Sequence, residues 1–64
     1  MGEKIRAYLE SHGIKRQYLA EQTGLSYSVI TDICMKGRKV EVSEYHKICK
    51  ALELSLDYFF ENEE

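Results

Sequence analysis

Apolar residues recur along this chain at spacings of three and four, and most of the runs stop at a glycine. Ile5, Tyr8 and Leu9, with His12 one turn later, fall at i, i+3, i+4 and i+7, the stripe of an amphipathic helix. Gly13 stands where a left-handed residue closes a helix, so a first helix is expected from about Glu3 to Ser11 or His12. Ile14 opens a second short segment in which Tyr18, Leu19 and Thr23 share a face, and Gly24 ends it. Ser26 predicts an N-cap, because its hydroxyl can accept from an orphan amide of the next helix. That third helix turns Val29, Ile30, Ile33 and Cys34 inward and closes at Gly37. Val40, Val42, Tyr45, Ile48, Cys49 and Leu52 trace a fourth helix over 42–52. Ser55 is expected to cap a short fifth helix carrying Leu56, Phe59 and Phe60, with 61–64 as a frayed tail. Val40-Glu41-Val42 alternates, but three residues without a partner make no sheet. The pattern predicts an all-α fold of five short helices, one domain over 1–64.

Length narrows the picture. A chain of 64 residues has room for one small core and no separate substrate domain. Its two cysteines, Cys34 and Cys49, do not make a disulfide framework. The first residues are charged and run into the helical stripe with no secretory core, and Arg6 stands where a myristoylation motif wants Ser or Thr. No apolar stretch approaches the ~18 residues that span a bilayer. These features lead to the expectation of a reduced, cytoplasmic protein with no membrane partner.

Net charge is −2, yet it is unevenly distributed. Residues 1–14 balance. Residues 15–39 hold Lys15, Arg16, Lys36, Arg38 and Lys39 against Glu21 and Asp32, a local +3. Residues 40–64 hold Lys47 and Lys50 against seven carboxylates, a local −5. A chain split this way can turn a basic face to phosphate while its rear stays acidic.

The second and third helices are separated only by Thr23-Gly24-Leu25-Ser26. A link that short, pivoting on glycine, forces a steep crossing and projects the start of the third helix outward. A helix of ~10–12 Å width fits a major groove of ~12 Å. Here the residues resemble a known family. Leu19-Ala20-Glu21 and Thr23-Gly24-Leu25-Ser26, with Ile30 and Ile33, Ile48 through Leu52 and Leu54 through Phe60, are similar to the Cro and phage-repressor (XRE) helix-turn-helix proteins. The resemblance runs from Ile5 to Glu61. It implies a compact five-helix, lambda-repressor-like domain that binds operator DNA, usually as a homodimer, in transcriptional repression or activation.

Some positions depart from that family. Lys15 and Arg16 stand where a Thr or Ser cap and a phosphate-binding Gln are usual. Leu9 and Cys34 replace an Arg–Glu pair; both are apolar together, so the two are expected to touch. The phosphate-binding set expected here is Lys15, Arg16, Lys36, Arg38 and Lys39. The groove-facing set is Gln17, Ser26, Tyr27, Ser28, Thr31 and Asp32. None of the third-helix readers is Arg, Asn or Gln, which make the bidentate base contacts, so specificity is expected to draw on paired half-sites and DNA shape.

His12, Cys34, His46 and Cys49 do not follow a paired zinc spacing, and the cysteines lie on apolar stripes, so neither metal nor cofactor is expected. A hydroxyl at a helix start is a cap before it is a nucleophile, and five short helices leave no catalytic cleft, so neither enzyme activity nor a small-molecule substrate is expected. Tyr58, Phe59 and Phe60 cannot all face inward. Phe59 is expected in the core, and Tyr58 and Phe60 at a homodimer interface. The sequence therefore predicts a repressor-type regulator of double-stranded DNA. The alternative is a helix-turn-helix module that binds a protein partner, antitoxin-like or anti-regulator, with little DNA readout.

Overall fold

Five helices build the chain in a computed structural model that describes residues 1–61: α1 (Gly2–Ser11), α2 (Arg16–Thr23), α3 (Tyr27–Met35), α4 (Val42–Leu52) and α5 (Tyr58–Glu61). Of the tail expected at 61–64, Glu61 instead ends α5, and 62–64 lie outside the described residues. Each helix end has a local cause. Gly13 is left-handed at φ +66°, and behind it the Ile14 N–H donates to Leu9 O at 2.8 Å and the Gly13 N–H to Glu10 O at 3.3 Å. These bonds satisfy the last carbonyls of α1 in a Schellman arrangement. At the start of α3 the Val29 N–H donates to Ser26 Oγ at 3.1 Å, as the sequence predicts.

The end of α4 has no glycine. Glu53 takes the left-handed conformation at φ +59°, with the Leu54 N–H on Cys49 O at 2.9 Å and the Glu53 N–H on Lys50 O at 3.1 Å. The same hydrogen-bonded stop is made there by a residue that adopts it at a cost of about 1 kcal/mol.

Each helix contributes to one core. Ile5 and Leu9 from α1, Leu19 and Ala20 from α2, Ile30, Ile33 and Cys34 from α3, Ile48 and Cys49 from α4, and Phe59 from α5 are all buried. Burial of each large aliphatic side chain contributes about 1.5–3 kcal/mol. Helix α2 packs against both α3 and α4, and α1 packs on α3. Leu9 and Cys34 belong to the same buried cluster. The start of α1 lies so close to α3 that a Cβ on Gly2 would sit 2.0 Å from the Ile33 carbonyl oxygen. The two far ends of the fold meet where Lys4 Nζ donates to Phe59 O at 3.1 Å.

Three inward assignments are corrected. Tyr18 is half exposed, because Leu19 and Ala20 carry the buried face of α2 and Tyr18 lies about 100° round the helix from Leu19. Val42, as the first residue of α4, projects past the core and is 87% exposed. Leu56 is exposed because α5 starts two residues later than expected, at Tyr58. Ser55 Oγ donates to Asp57 Oδ1 at 2.7 Å and makes a turn through Leu56.

Candidate nucleic-acid interface

The link between α2 and α3 is fixed by its own side chains. The Thr23 hydroxyl donates to Leu19 O at 2.8 Å and accepts from the Leu25 N–H at 3.2 Å. Gly24 then turns the chain at φ +79°, a conformation that only glycine adopts without strain. Ser26 closes the link by capping α3. Thr23, Gly24 and Ser26 thus set locally how α3 leaves α2, while Leu25 packs against the core.

Helix α2 begins without a side-chain cap. Lys15 and Arg16 carry donors only, so neither can accept from the orphan amides of the first turn. Across the link, Arg16 Nη2 donates to Tyr27 Oη at 3.3 Å, and its Cζ lies 5.8 Å from the centre of the Tyr27 ring. The Arg16 hydrogen bond, and next to it Thr31, hold the Tyr27 hydroxyl below the ordinary tyrosine range. Arg16 Nε is sealed from solvent and has no hydrogen-bond partner among the described residues. Lys15, Arg16, Gln17 and Tyr27 line one groove together with Arg6 of α1. Arg6 also lines a second groove with Met35, Arg38 and Lys39, and its Nη1 lies 3.9 Å from Met35 Sδ. The cations of α2 and of the link after α3 thus adjoin one another through Arg6. Sequence reasoning missed this residue, because Arg6 has a local counter-charge in Glu10, at 4.0 Å in the structure.

Other expected residues find various placements. Ser28 is exposed and Tyr27 is partly so. Ser26 is exposed, with its oxygen engaged as the cap. Gln17 Nε2 donates to Glu21 Oε2 at 3.2 Å. Asp32 sits 3.7 Å from Lys36 Nζ, which offsets a carboxylate near the expected phosphate path. Thr31 is half-buried and its Oγ1 is shielded from solvent, so its hydroxyl is not presented to a groove. Lys15, Lys36 and Lys39 are exposed.

Arg38 is drawn to another task. Its Nη1 and Nη2 donate to Glu44 Oε1 and Oε2 at 2.8 and 2.9 Å, and Glu44 Oε1 also accepts the Glu41 N–H at 3.1 Å. Hydrogen bonds from Arg38 and from the Glu41 amide hold the Glu44 carboxyl below the usual carboxylate range. Two of the five donors of Arg38 are thus spent on fastening the link after α3 to α4.

A family model described as helix-turn-helix matches residues 5–59. The chain belongs to that family, of the Cro and phage-repressor type. The helix-turn-helix of this protein is α2, the three-residue link 24–26 and α3, inside an all-α, five-helix domain. The family is one of DNA-binding regulators. A comparison with curated proteins gave no match. Among the described residues no helix is long and apolar enough to cross a membrane.

At the opposite end of the helix-turn-helix domain, Phe60 is 58% exposed, whereas Tyr58 is half-buried and packs edge-on against Tyr8 and Phe59. Phe60 lies 5.8 Å from the Tyr45 ring, and the Tyr45 hydroxyl donates to Leu56 O. Burial, followed by Cys49 beside it, pushes that hydroxyl up to about 12. At this end Phe60 and Leu56 are exposed, and Tyr45 and Tyr58 are both half-buried beside them.

Proposed function

We propose that this protein is a sequence-specific, repressor-type transcriptional regulator that sets α3 in the major groove of double-stranded DNA, acting as a cytoplasmic homodimer. The observation that carries the reading is the edge where the uncapped start of α2 meets the start of α3. An oxyanion there would receive the orphan amides of the first turn together with Lys15 and Arg16. Lys36 and Lys39 extend the phosphate contacts. Gln17, Ser26, Tyr27, Ser28 and Asp32 face the bases. Arg38 supports them mainly by holding its link against α4. The Phe60–Leu56–Tyr45 surface supplies the dimer contact, and pairing two domains supplies the half-site spacing that a single α3 lacks.

The test is anisotropy titration of the full chain against duplex from upstream of its own gene and against random duplex, over a salt series. The expected result is affinity that falls steeply with salt and a specific-to-random ratio well above about ten. Arg16→Ala should weaken all sequences alike and lower the salt slope by about 1. Absence of binding to any duplex at low salt refutes the proposal and favours a module that binds a protein partner through the same scaffold. Sedimentation of Phe60→Glu beside the native chain tests the dimer. A native monomer at the DNA-binding concentration removes that part of the reading.

A further inference from the structure

Arg16 and Tyr27 are eleven residues apart in sequence and on different helices, yet they are the side chains that join the starts of α2 and α3. We propose that Tyr27 is a positioning residue for Arg16: its hydroxyl and ring hold the guanidinium at the edge of the helix-turn-helix, so that the phosphate contact of α2 is set by the first residue of α3. The inference rests on the DNA-binding reading above and reassigns Tyr27 within it.

Three observations carry it. First, Arg16 Nη2 donates to Tyr27 Oη at 3.3 Å. Second, the guanidinium carbon lies 5.8 Å from the ring centre, within the range in which an aromatic face attracts a cation. Third, Arg16 Nε is sealed from solvent with no hydrogen-bond partner among the described residues, so the inner end of the guanidinium lies against protein while Nη2 carries the bond. A free arginine on a surface samples many rotamers and loses that freedom on meeting a phosphate. Held by the Tyr27 hydroxyl and against its ring, Arg16 has lost much of it beforehand. Tyr27 pays for this arrangement with its own hydroxyl, whose oxygen is occupied by Arg16 and is less free for a base. The lowered titration of that hydroxyl agrees with a cation bonded to it. Lys15, the neighbouring cation, has no comparable partner in any hydrogen bond or ion pair found among the described residues, and it is exposed. The two cations at the start of α2 thus differ in kind: Lys15 adds mobile charge, and Arg16 adds a fixed direction.

The experiment compares the full-length native chain with Tyr27→Phe, Arg16→Ala and the double variant. Each is titrated with a pool of short random duplexes at low salt, and the bound fraction of the pool is sequenced. Tyr27 is surface-exposed, so Tyr27→Phe keeps the ring and the fold, and circular dichroism verifies this. The expected result is that Tyr27→Phe weakens the pool roughly three- to tenfold, the cost of immobilising one freed long side chain on binding. The effect should disappear in the Arg16→Ala background, and the bases selected should not change. Carbon-13 labelling of the tyrosine rings adds a readout independent of DNA: the Tyr27 hydroxyl should titrate below the ordinary tyrosine value in the native chain and higher in Arg16→Ala. An unchanged affinity with altered base selection makes Tyr27 a base reader and overturns the inference, while DNA binding stands. A Tyr27→Phe effect that persists without Arg16 also overturns it. If the native chain binds no duplex, the DNA-binding reading fails, and the inference fails with it.

Discussion

Replacing Glu44 by Gln tests how the link after α3 is held. The native carboxylate accepts two bonds from Arg38, at 2.8 and 2.9 Å, and one from the Glu41 amide at 3.1 Å. Its side chain is 12% exposed and that of Arg38 is 34% exposed, so the pair lies between two limits. Fully exposed ion pairs contribute about 0–1 kcal/mol, whereas removal of one partner from a buried pair costs about 3–5 kcal/mol. Glutamine keeps one oxygen for the Glu41 amide but turns an NH2 towards the guanidinium, so about 2 kcal/mol is expected after solvent screening of the outer partner. For a domain of this size that loss lowers Tm by about 8–15 °C. Thermal unfolding followed by circular dichroism at neutral pH measures it. The dependence on pH has a definite sign. Glu44 titrates lower when folded than when unfolded, so its contribution is complete above the unfolded carboxylate value of about 4.3 and is lost as pH falls through the folded one. The gap in Tm between native and variant should therefore close in acid. A gap below about 2 °C at neutral pH, or one that concentrated salt abolishes, places the pair in the exposed class and refutes the reasoning.

Two further substitutions act on the backbone. Gly2→Ala puts a methyl group 2.0 Å from the Ile33 carbonyl oxygen, so α1 must shift or its first turn must open. A loss of about 1–3 kcal/mol in urea unfolding is expected, and a neutral result would mean that the start of α1 does not rest on α3. Glu53→Gly removes the left-handed strain at the end of α4 and should stabilise the domain by about 0.5–1 kcal/mol, the strain relieved less the chain entropy of glycine. A destabilised variant would show that the Glu53 side chain contributes more than its backbone costs.

The elements that the sequence makes legible are those with a short-range cause. Gly13 and Gly24 stop helices, Ser26 starts one, and the stripes Ile5–Leu9, Ile30–Cys34 and Ile48–Cys49 face the core, because each signal lies within one or two turns. Glu53 is not legible in the same way. A Schellman stop usually announces itself by glycine, and here the two backbone bonds that end α4 are made by a residue with a poor preference for that conformation. Leu56 was misplaced because Ser55 bonds to Asp57 and delays the last helix, a choice made by one hydroxyl between two nearby partners. At the candidate interface, the cations Lys15, Arg16, Lys36 and Lys39 can be read as a charge cluster. The partners cannot. Arg38–Glu44 and Arg16–Tyr27 join residues across a link, so only the placement of two elements reveals which side chains remain available.

The bond from Lys4 to the carbonyl of Phe59 spans nearly the whole sequence, while the helix-turn-helix is held by bonds within a few residues. Helix α5, only four residues long, has little helical cohesion of its own and is held by Phe59 in the core and by that bond. Detachment of this helix would have to break those tertiary contacts alone. Its departure uncovers Phe59 and the aromatic faces of Tyr8 and Tyr45 together, while α2 and α3 keep their mutual geometry. Partial opening at this end is thus expected to expose apolar surface while the helix-turn-helix unit stays folded.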